Sequence, residues 1–240
     1  GNINDNFDNI NLNELDLNKL PELEQFMLHK IFVLNDKFKK YFENYDFHNL
    51  YKELLNFCTV DLSAFYFDIR KDNLYCDDKE SIKRKSTIKV LNIILNALLK
   101  WFAPILSFTT EEIYKLLIQD QKSIHLENFL EIPDKFKNEK IYEKWIELIK
   151  IRNICNISIE EKRASKEIGS SLEADLKIDV DIKLKDLIEN IDFSELCITS
   201  KAKVNYEQDI EITATTIKAK GNKCPICWKI SEDTCTRHPQ

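Results

Sequence analysis

Between Leu23 and Phe42 apolar side chains recur at three- and four-residue steps: Leu23, Phe26, Met27, Ile31, Leu34, Phe38, Tyr41 and Phe42. That period predicts an amphipathic helix, and Pro21 stands at its start, where a proline is tolerated. Asp46 is placed to cap a second helix, with a stripe through Phe47, Leu50, Tyr51, Leu54, Leu55, Cys58, Leu62, Phe65, Tyr66 and Ile69. The polar run 77–81 interrupts the pattern. A third helix then extends to about Phe102, with Ile88, Leu91, Ile94, Leu95, Leu98 and Leu99 on one face and Pro104 ending it. Thr109 and Glu112 have capping-box spacing, which predicts a short helix over 110–118. A fifth helix is predicted over roughly 139–162, its stripe running Ile141, Trp145, Leu148, Ile149, Arg152, Cys155 and Ile159.

The period changes after Gly169: 176–184 and 210–216 alternate apolar and polar residues, as half-buried strands do. The chain therefore reads as mainly α, a helix bundle followed by a small α+β module and a C-terminal knuckle or ribbon. The expected divisions are 1–165 (with 1–18 a polar, unstructured lead), 166–220 and 221–240. Only 3 Gly and 5 Pro in 240 residues favour long uninterrupted helices over a turn-rich sheet fold.

The last segment carries the chemistry. Cys224 and Cys227 are followed, after seven residues, by Cys235 and His238. Ligands two residues apart form a knuckle, and two knuckles complete the tetrahedron that zinc prefers. Four protein ligands leave no position for a reacting water, so one structural zinc is expected. His238 is the least secure ligand, two residues from the end of the chain. The other four of the seven cysteines are scattered, and an odd count with no secretory signal favours metal binding over disulfides.

Charge adds a second theme. The net charge of −6 argues against a protein whose whole surface grips nucleic acid, but not against a local basic face. Lys218, Lys220, Lys223, Lys229 and Arg237 surround the metal segment, and Trp228 directly follows the first knuckle. An indole flanked by cations suits single-stranded RNA, although packing of Trp228 on the metal module reads equally well. Lys83, Arg84, Lys85 and Lys89 form a second basic group, alone more typical of a solvated helix surface. Arg152 sits on an apolar stripe and needs a partner there; an ion pair to an acidic group reads better than a nucleic-acid contact.

No catalytic residue is expected. The run 83–87 has no glycine turn before it, Gly169 alone cannot cradle phosphate, and His29, His48 and His125 belong to no recognisable triad. No stretch has the ~18 apolar residues of a membrane span, and the acidic, Asn-rich start is unlike a targeting peptide.

The blocks 46–48, 56–66, Asp68 and 71–75 closely resemble the anticodon-binding domain of bacterial-type isoleucyl-tRNA synthetases, as does 103–112. Residues 160–163 with 166–174 resemble the junction after that bundle, and 223–228 resemble the family's terminal zinc module. Together these cover most of 46–240. The family usually closes its zinc site with a second CxxC, whereas this chain offers Cys235 and His238. The resemblance implies a monomeric, cytoplasmic, non-catalytic portion of an ATP-dependent isoleucine–tRNA ligase, an organellar setting remaining open. Catalytic and editing domains would lie upstream; Gly1, with no initiator Met, is consistent with a piece of a longer chain. The implied ligand is tRNA(Ile), held by Lys71, Arg84, Arg152, Lys223, Trp228, Lys229 and Arg237. The alternatives are the equivalent region of a valyl- or leucyl-type enzyme, which shares the bundle, or an independent helical zinc-ribbon module that binds protein.

Overall fold

The computed structural model describes residues 10–118, 122–235 and 237–238. The chain divides into two compact units, 1–142 and 143–240.

The first unit is helical: α1 (Glu22–Glu43), α2 (Phe47–Asn56), α3 (Asp68–Cys76), α4 (Ile82–Phe102) and α5 (Ser107–Ile118). Of the polar lead, residues 1–9 lie outside the described residues. Beyond them, Asp16 caps a 3₁₀ turn over Leu17–Lys19, Leu15 and Leu20 are buried, and Lys135 Nζ donates to the carbonyls of Asn13 and Leu15 at 2.7 Å. Asp46 caps α2 as its position predicts, accepting from the Asn49 amide.

Phe57–Phe67 joins α2 to α3 as a π-helical stretch, a wider turn than the α-helix the sequence periodicity predicts. The wider turn rotates the buried face. Phe57 and Leu62, five residues apart, are buried, whereas Cys58 is only half-buried. Phe57, Phe65 and Tyr66 are all core residues. In α4 the buried set is Val90, Ile93, Ile94, Ala97, Leu99 and Trp101. Ile88, Leu91, Leu95 and Leu98 are half-buried instead, because apolar positions wrap most of this helix and its face is set by what packs on it. The Thr109 capping box is not used. Ile105 and Leu106 both donate to the Phe102 carbonyl, the turn closes early, and α5 begins at Ser107 with Thr110 Oγ1 bonded back to Leu106 O at 3.0 Å.

The deepest polar contact holds α1, α3 and α4 together. Glu24, fully buried in the first turn of α1, receives Arg70 Nε and Nη2, each at 2.6 Å, in the bidentate fork that suits a guanidinium and a carboxylate. Tyr66 donates its hydroxyl to Glu24 Oε1 at 3.2 Å. Thr87 Oγ1 lies 3.2 Å from the same oxygen and 2.8 Å from the Lys83 carbonyl, and its one proton serves both. Burial and then the Glu24 charge push the Tyr66 hydroxyl well above its ordinary value, so it stays a donor. A second polar anchor links α1 to α4, with Trp101 Nε1 donating to Asn35 Oδ1 at 3.0 Å.

In the second unit, α6 (Glu139–Ala164, its first turn counted with the first unit) precedes a three-stranded sheet. Its strands are β1 (Ala174–Asp181), β2 (Lys201–Glu207) and β3 (Thr213–Lys218), in the order β2-β1-β3. β1 runs parallel to β2 and antiparallel to β3. Ala174, Leu176, Ile178 and Val180 are buried at alternate positions, as the two-residue period requires. Two short helices, α7 (Lys185–Ile188) and α8 (Phe193–Leu196), make the crossover that a parallel pair needs. Edge strand β2 lies outside the segments that the sequence predicts as strands; its alternating apolar residues Ala202, Val204 and Tyr206 stay half-exposed. The Ser158 hydroxyl on α6 accepts from the Thr216 amide at 3.0 Å and pins α6 to β3.

Two outcomes follow from these contacts. Arg70→Ala leaves the Glu24 charge buried without its partner and is expected to destabilise the first unit by about 3–5 kcal/mol, read as a fall in denaturant midpoint. His29 is buried, accepts the Asn138 amide at Nδ1 (2.9 Å) and lies 5.1 Å from the Tyr142 ring. Burial lowers its pKa; Glu139 opposes this, while Lys137 and Lys30 add to it. With the folded value below the reference 6.5, stability is full above that pH and declines as pH falls through the depressed value. His29→Gln should therefore flatten the stability–pH slope below about pH 6.5, and an unchanged slope would refute the assignment.

Candidate metal centre and its exposed tryptophan

The chain enters the last segment through a hairpin, β4 (Asn222–Lys223) antiparallel to β5 (Ile230–Ser231), with Asn222 opposite Ser231 and Lys223 opposite Ile230. Gly221 opens it at φ +118°, and a Cβ there would meet the Ser231 carbonyl oxygen at 2.1 Å. Only glycine fits so close an approach at that φ. Inside the hairpin, Cys224 N donates to Lys229 O at 2.9 Å and Trp228 N to Cys224 O at 3.0 Å, with Trp228 left-handed at φ 63°.

This turn brings together the side chains that the sequence spacing pairs. The ligand atoms of Cys224, Cys227, Cys235 and His238 all lie within 4.8 Å of one another, a set able to hold a metal ion. His238 Nδ1 is 3.7 Å from Cys224 Sγ and 3.6 Å from Cys235 Sγ, and Cys227 Sγ is 3.9 Å from Cys235 Sγ. Backbone amides are aimed at the sulfurs. The Cys227 amide lowers the Cys224 thiol to about 6 against the opposition of burial, helped by the Ile226 amide. Burial raises Cys227 to about 12 despite the Lys229 amide. At Cys235 burial works upward, but the amides of His238 and Arg237 outweigh it and the thiol is lowered. Amide donors that favour thiolate are what a cation site requires before the cation arrives. The sequence names the four ligands but not these donors, which belong to the backbone of the knuckles.

Polar contacts fasten the hairpin to the sheet module. Ser200 Oγ donates to Leu172 O at 2.5 Å and accepts the Ile230 amide at 2.6 Å. Lys229 Nζ donates to Ser194 Oγ at 3.3 Å, so this cation is partly engaged within the fold. Trp228 keeps 58% of its surface in solvent, and Lys223 Nζ lies 5.3 Å from its ring centroid, in cation–π range. The tryptophan is thus displayed, not folded into the module. Arg237 is half-buried beside the cluster.

The other basic residues singled out in the sequence have different settings. Lys71 is exposed on α3. Arg84 is half-buried and donates from Nη1 to the Asp77 carbonyl at 2.7 Å, tying α4 to the end of α3. Arg152 is 9% exposed and donates from Nε to the Leu196 carbonyl at 2.9 Å, at the C-terminal end of α8. A guanidinium there satisfies one of the carbonyls that a helix end leaves open. Cys155 and Cys197 are buried apart from the cluster, and their mutual hydrogen bond, then burial, pushes the Cys197 thiol well above its ordinary value.

Residues 24–178 match the family model described as the anticodon-binding domain of tRNA ligase. The chain is 64% identical to the isoleucine–tRNA ligase of Pelagibacter ubique, over 99% of this chain and 26% of that protein. It is 37% identical to the isoleucine–tRNA ligase of Agrobacterium fabrum and 36% identical to that of Bartonella quintana, each over 89% of this chain and 23% of the relative. The chain thus spans about a quarter of the length of the curated relatives it matches.

Gly221→Ala tests how far the cluster depends on the hairpin. The substitution is expected to weaken metal binding at least about ten-fold by displacing β5 from β4, measured by competition with a chromogenic chelator. Wild-type affinity in this variant would detach the cluster from the turn.

Proposed function

Since the chain belongs to the anticodon-binding domain family of tRNA ligases, we propose that it holds the anticodon stem and loop of tRNA(Ile) for a longer isoleucine–tRNA ligase. The observation that carries this reading is the exposed Trp228 beneath Lys223, presented by a turn that the Cys₃His cluster organises. An aromatic face of this kind stacks an unpaired base, and the cation beside it meets the phosphate. Lys71, Lys223, Lys229 and Arg237 supply phosphate contacts in the proposal, whereas Arg84 and Arg152, bonded to backbone carbonyls, act by positioning.

The metal in this reading is one zinc. Tetrahedral zinc, with Zn–S about 2.3 Å and Zn–N about 2.0–2.1 Å, has S···S edges near 3.8 Å and S···N edges near 3.6 Å. Three edges of the cluster come close to these: Cys227–Cys235 S···S is 3.9 Å and the His238 Nδ1 distances to Cys224 and Cys235 are 3.7 and 3.6 Å, while all four ligand atoms lie within 4.8 Å of one another. Zinc bound there by Cys224, Cys227, Cys235 and His238 supplies folding energy and not reactivity, because all four positions are taken. The bundle over 1–165, the junction over 166–220 and the zinc tail over 221–240 would then divide the work of stem, connection and base contact. The remainder of the polypeptide would carry amino-acid activation with ATP, transfer to tRNA and editing, and a monomer in the cytoplasm is the expected setting.

The zinc-loaded chain should contain one zinc by metal analysis and bind tRNA(Ile) in fluorescence anisotropy without charging it. With four phosphate contacts the log–log salt slope should be about −3, and Trp228→Ala should weaken binding about ten-fold. Equal affinity for tRNAs with altered anticodons would sink the specific reading, and binding insensitive to salt would sink the general one.

A further inference from the structure

Trp228 is not the only exposed aromatic held in a left-handed backbone. Tyr45, between α1 and α2, has φ 56° and is 80% exposed. It occupies the position after a helix cap where glycine is the usual residue. Tyr45 N donates to Phe42 O at 3.1 Å and Asp46 N to Tyr41 O at 2.8 Å, the paired bonds of a Schellman end. A side chain there works against the backbone. Ile198 and Lys166 occupy the corresponding positions after α8 and α6, also left-handed. Of the three, only Tyr45 carries a ring, and it turns that ring to solvent. Strain retained under an exposed aromatic is a pointer to function.

The surroundings fit one ligand chemistry. Tyr45 lies edge-on to Phe47 (centroids 6.4 Å, 70°), Phe47 to Phe42 (5.8 Å, 75°), and Phe42 to Phe129 (5.0 Å, 63°). This ladder fixes the outer rings from below. Phe47 and Tyr51, one turn apart on α2, are 44% and 50% exposed. Lys40 on α1 and His48 and Lys52 on α2 are exposed nearby in the sequence, as is the acid Glu43. The other acids at the corner are engaged: Asp46 by the Asn49 amide and side chain, Glu53 by Lys37 and Tyr41. In a chain of net charge −6, the corner therefore offers anchored, exposed aromatic faces on helices that also expose Lys40 and Lys52. Stacked bases and a phosphate backbone meet such a surface on both counts.

We propose that the Tyr45–Phe47 corner of the first unit is a base-stacking platform for an unpaired nucleotide of single-stranded RNA, separate from Trp228. The inference rests on the tRNA-binding reading and adds to it a second contact, in the helical unit. Tyr45 supplies the stacking face, Phe47 and Phe42 hold its orientation, and Lys40 and Lys52 meet the adjoining phosphates.

The strained backbone supplies a clean test. Tyr45→Gly removes the ring and relaxes the left-handed residue, so its thermal midpoint should equal or exceed the wild-type value while affinity for tRNA(Ile) falls about ten-fold. Tyr45→Asn, which also tolerates this φ, should lose the same affinity, and Tyr45→Trp should keep it. Wild-type affinity in the Gly and Asn variants, with Trp228→Ala still weakened, would overturn this proposal and leave the tRNA-binding reading in place. Binding by neither the wild type nor any variant would overturn both.

Discussion

A carboxylate taken out of water must be matched where it lands, and Glu24 is matched by three elements at once. Its two oxygens receive the fork of Arg70 from α3, the hydroxyl of Tyr66 from the π-helical stretch, and the approach of Thr87 from α4. Any slip of α1 against these helices would strand a buried charge. The apolar core of Phe26, Phe38, Phe57 and Trp101 holds the same helices together without direction, whereas the ion pair prescribes their register. The wide turn over Phe57–Phe67 belongs to the same arrangement, because it turns Tyr66 inward toward Glu24 in the run that carries Arg70 on into α3.

The second unit relies on a different device. Its sheet has three strands and buries one row of side chains from β1, so little apolar area is available to organise the last residues. A hairpin entered through Gly221 and fastened by Ser200 carries Cys224 and Cys227, the chain beyond it brings Cys235 and His238, and backbone amides near each pair favour thiolate at Cys224 and Cys235. Metal binding in such a segment is folding energy. The turn that builds the knuckle also forces Trp228 into a left-handed conformation and outward. Display of the indole is thus a consequence of the turn that gathers Cys224 and Cys227.

Much of the bundle was legible because helix periodicity is local. The stripe from Leu23 to Phe38, the Asp46 cap and the span of α6 need only a few neighbouring residues to be read. Departures arose where another element decided the outcome. The buried face of α4 was set by its neighbours, and α5 started early because the turn after Phe102 closed before Thr109 was reached. The edge strand β2 alternates too, but on only three apolar residues, Ala202, Val204 and Tyr206, a fainter signal than the row of β1. Arg152 announced itself as a charge on an apolar stripe in need of a partner, and the structure adds that its Nε donates to the Leu196 carbonyl at the end of α8.

The helical character, the Cys/His segment, the family resemblance and the lysines near Trp228 could be read along the chain, since each rests on residue types at short, fixed spacings. Which charges are buried, which way the aromatics face and which amides reach the sulfurs came from packing alone. Glu24 and Arg70 are 46 residues apart, and each alone looks like an ordinary charged residue of a helix. Tyr45 is one more aromatic in a run of them until the helix end fixes its φ. Burial and backbone strain are created by chain segments meeting, and a pattern read along one segment does not contain them.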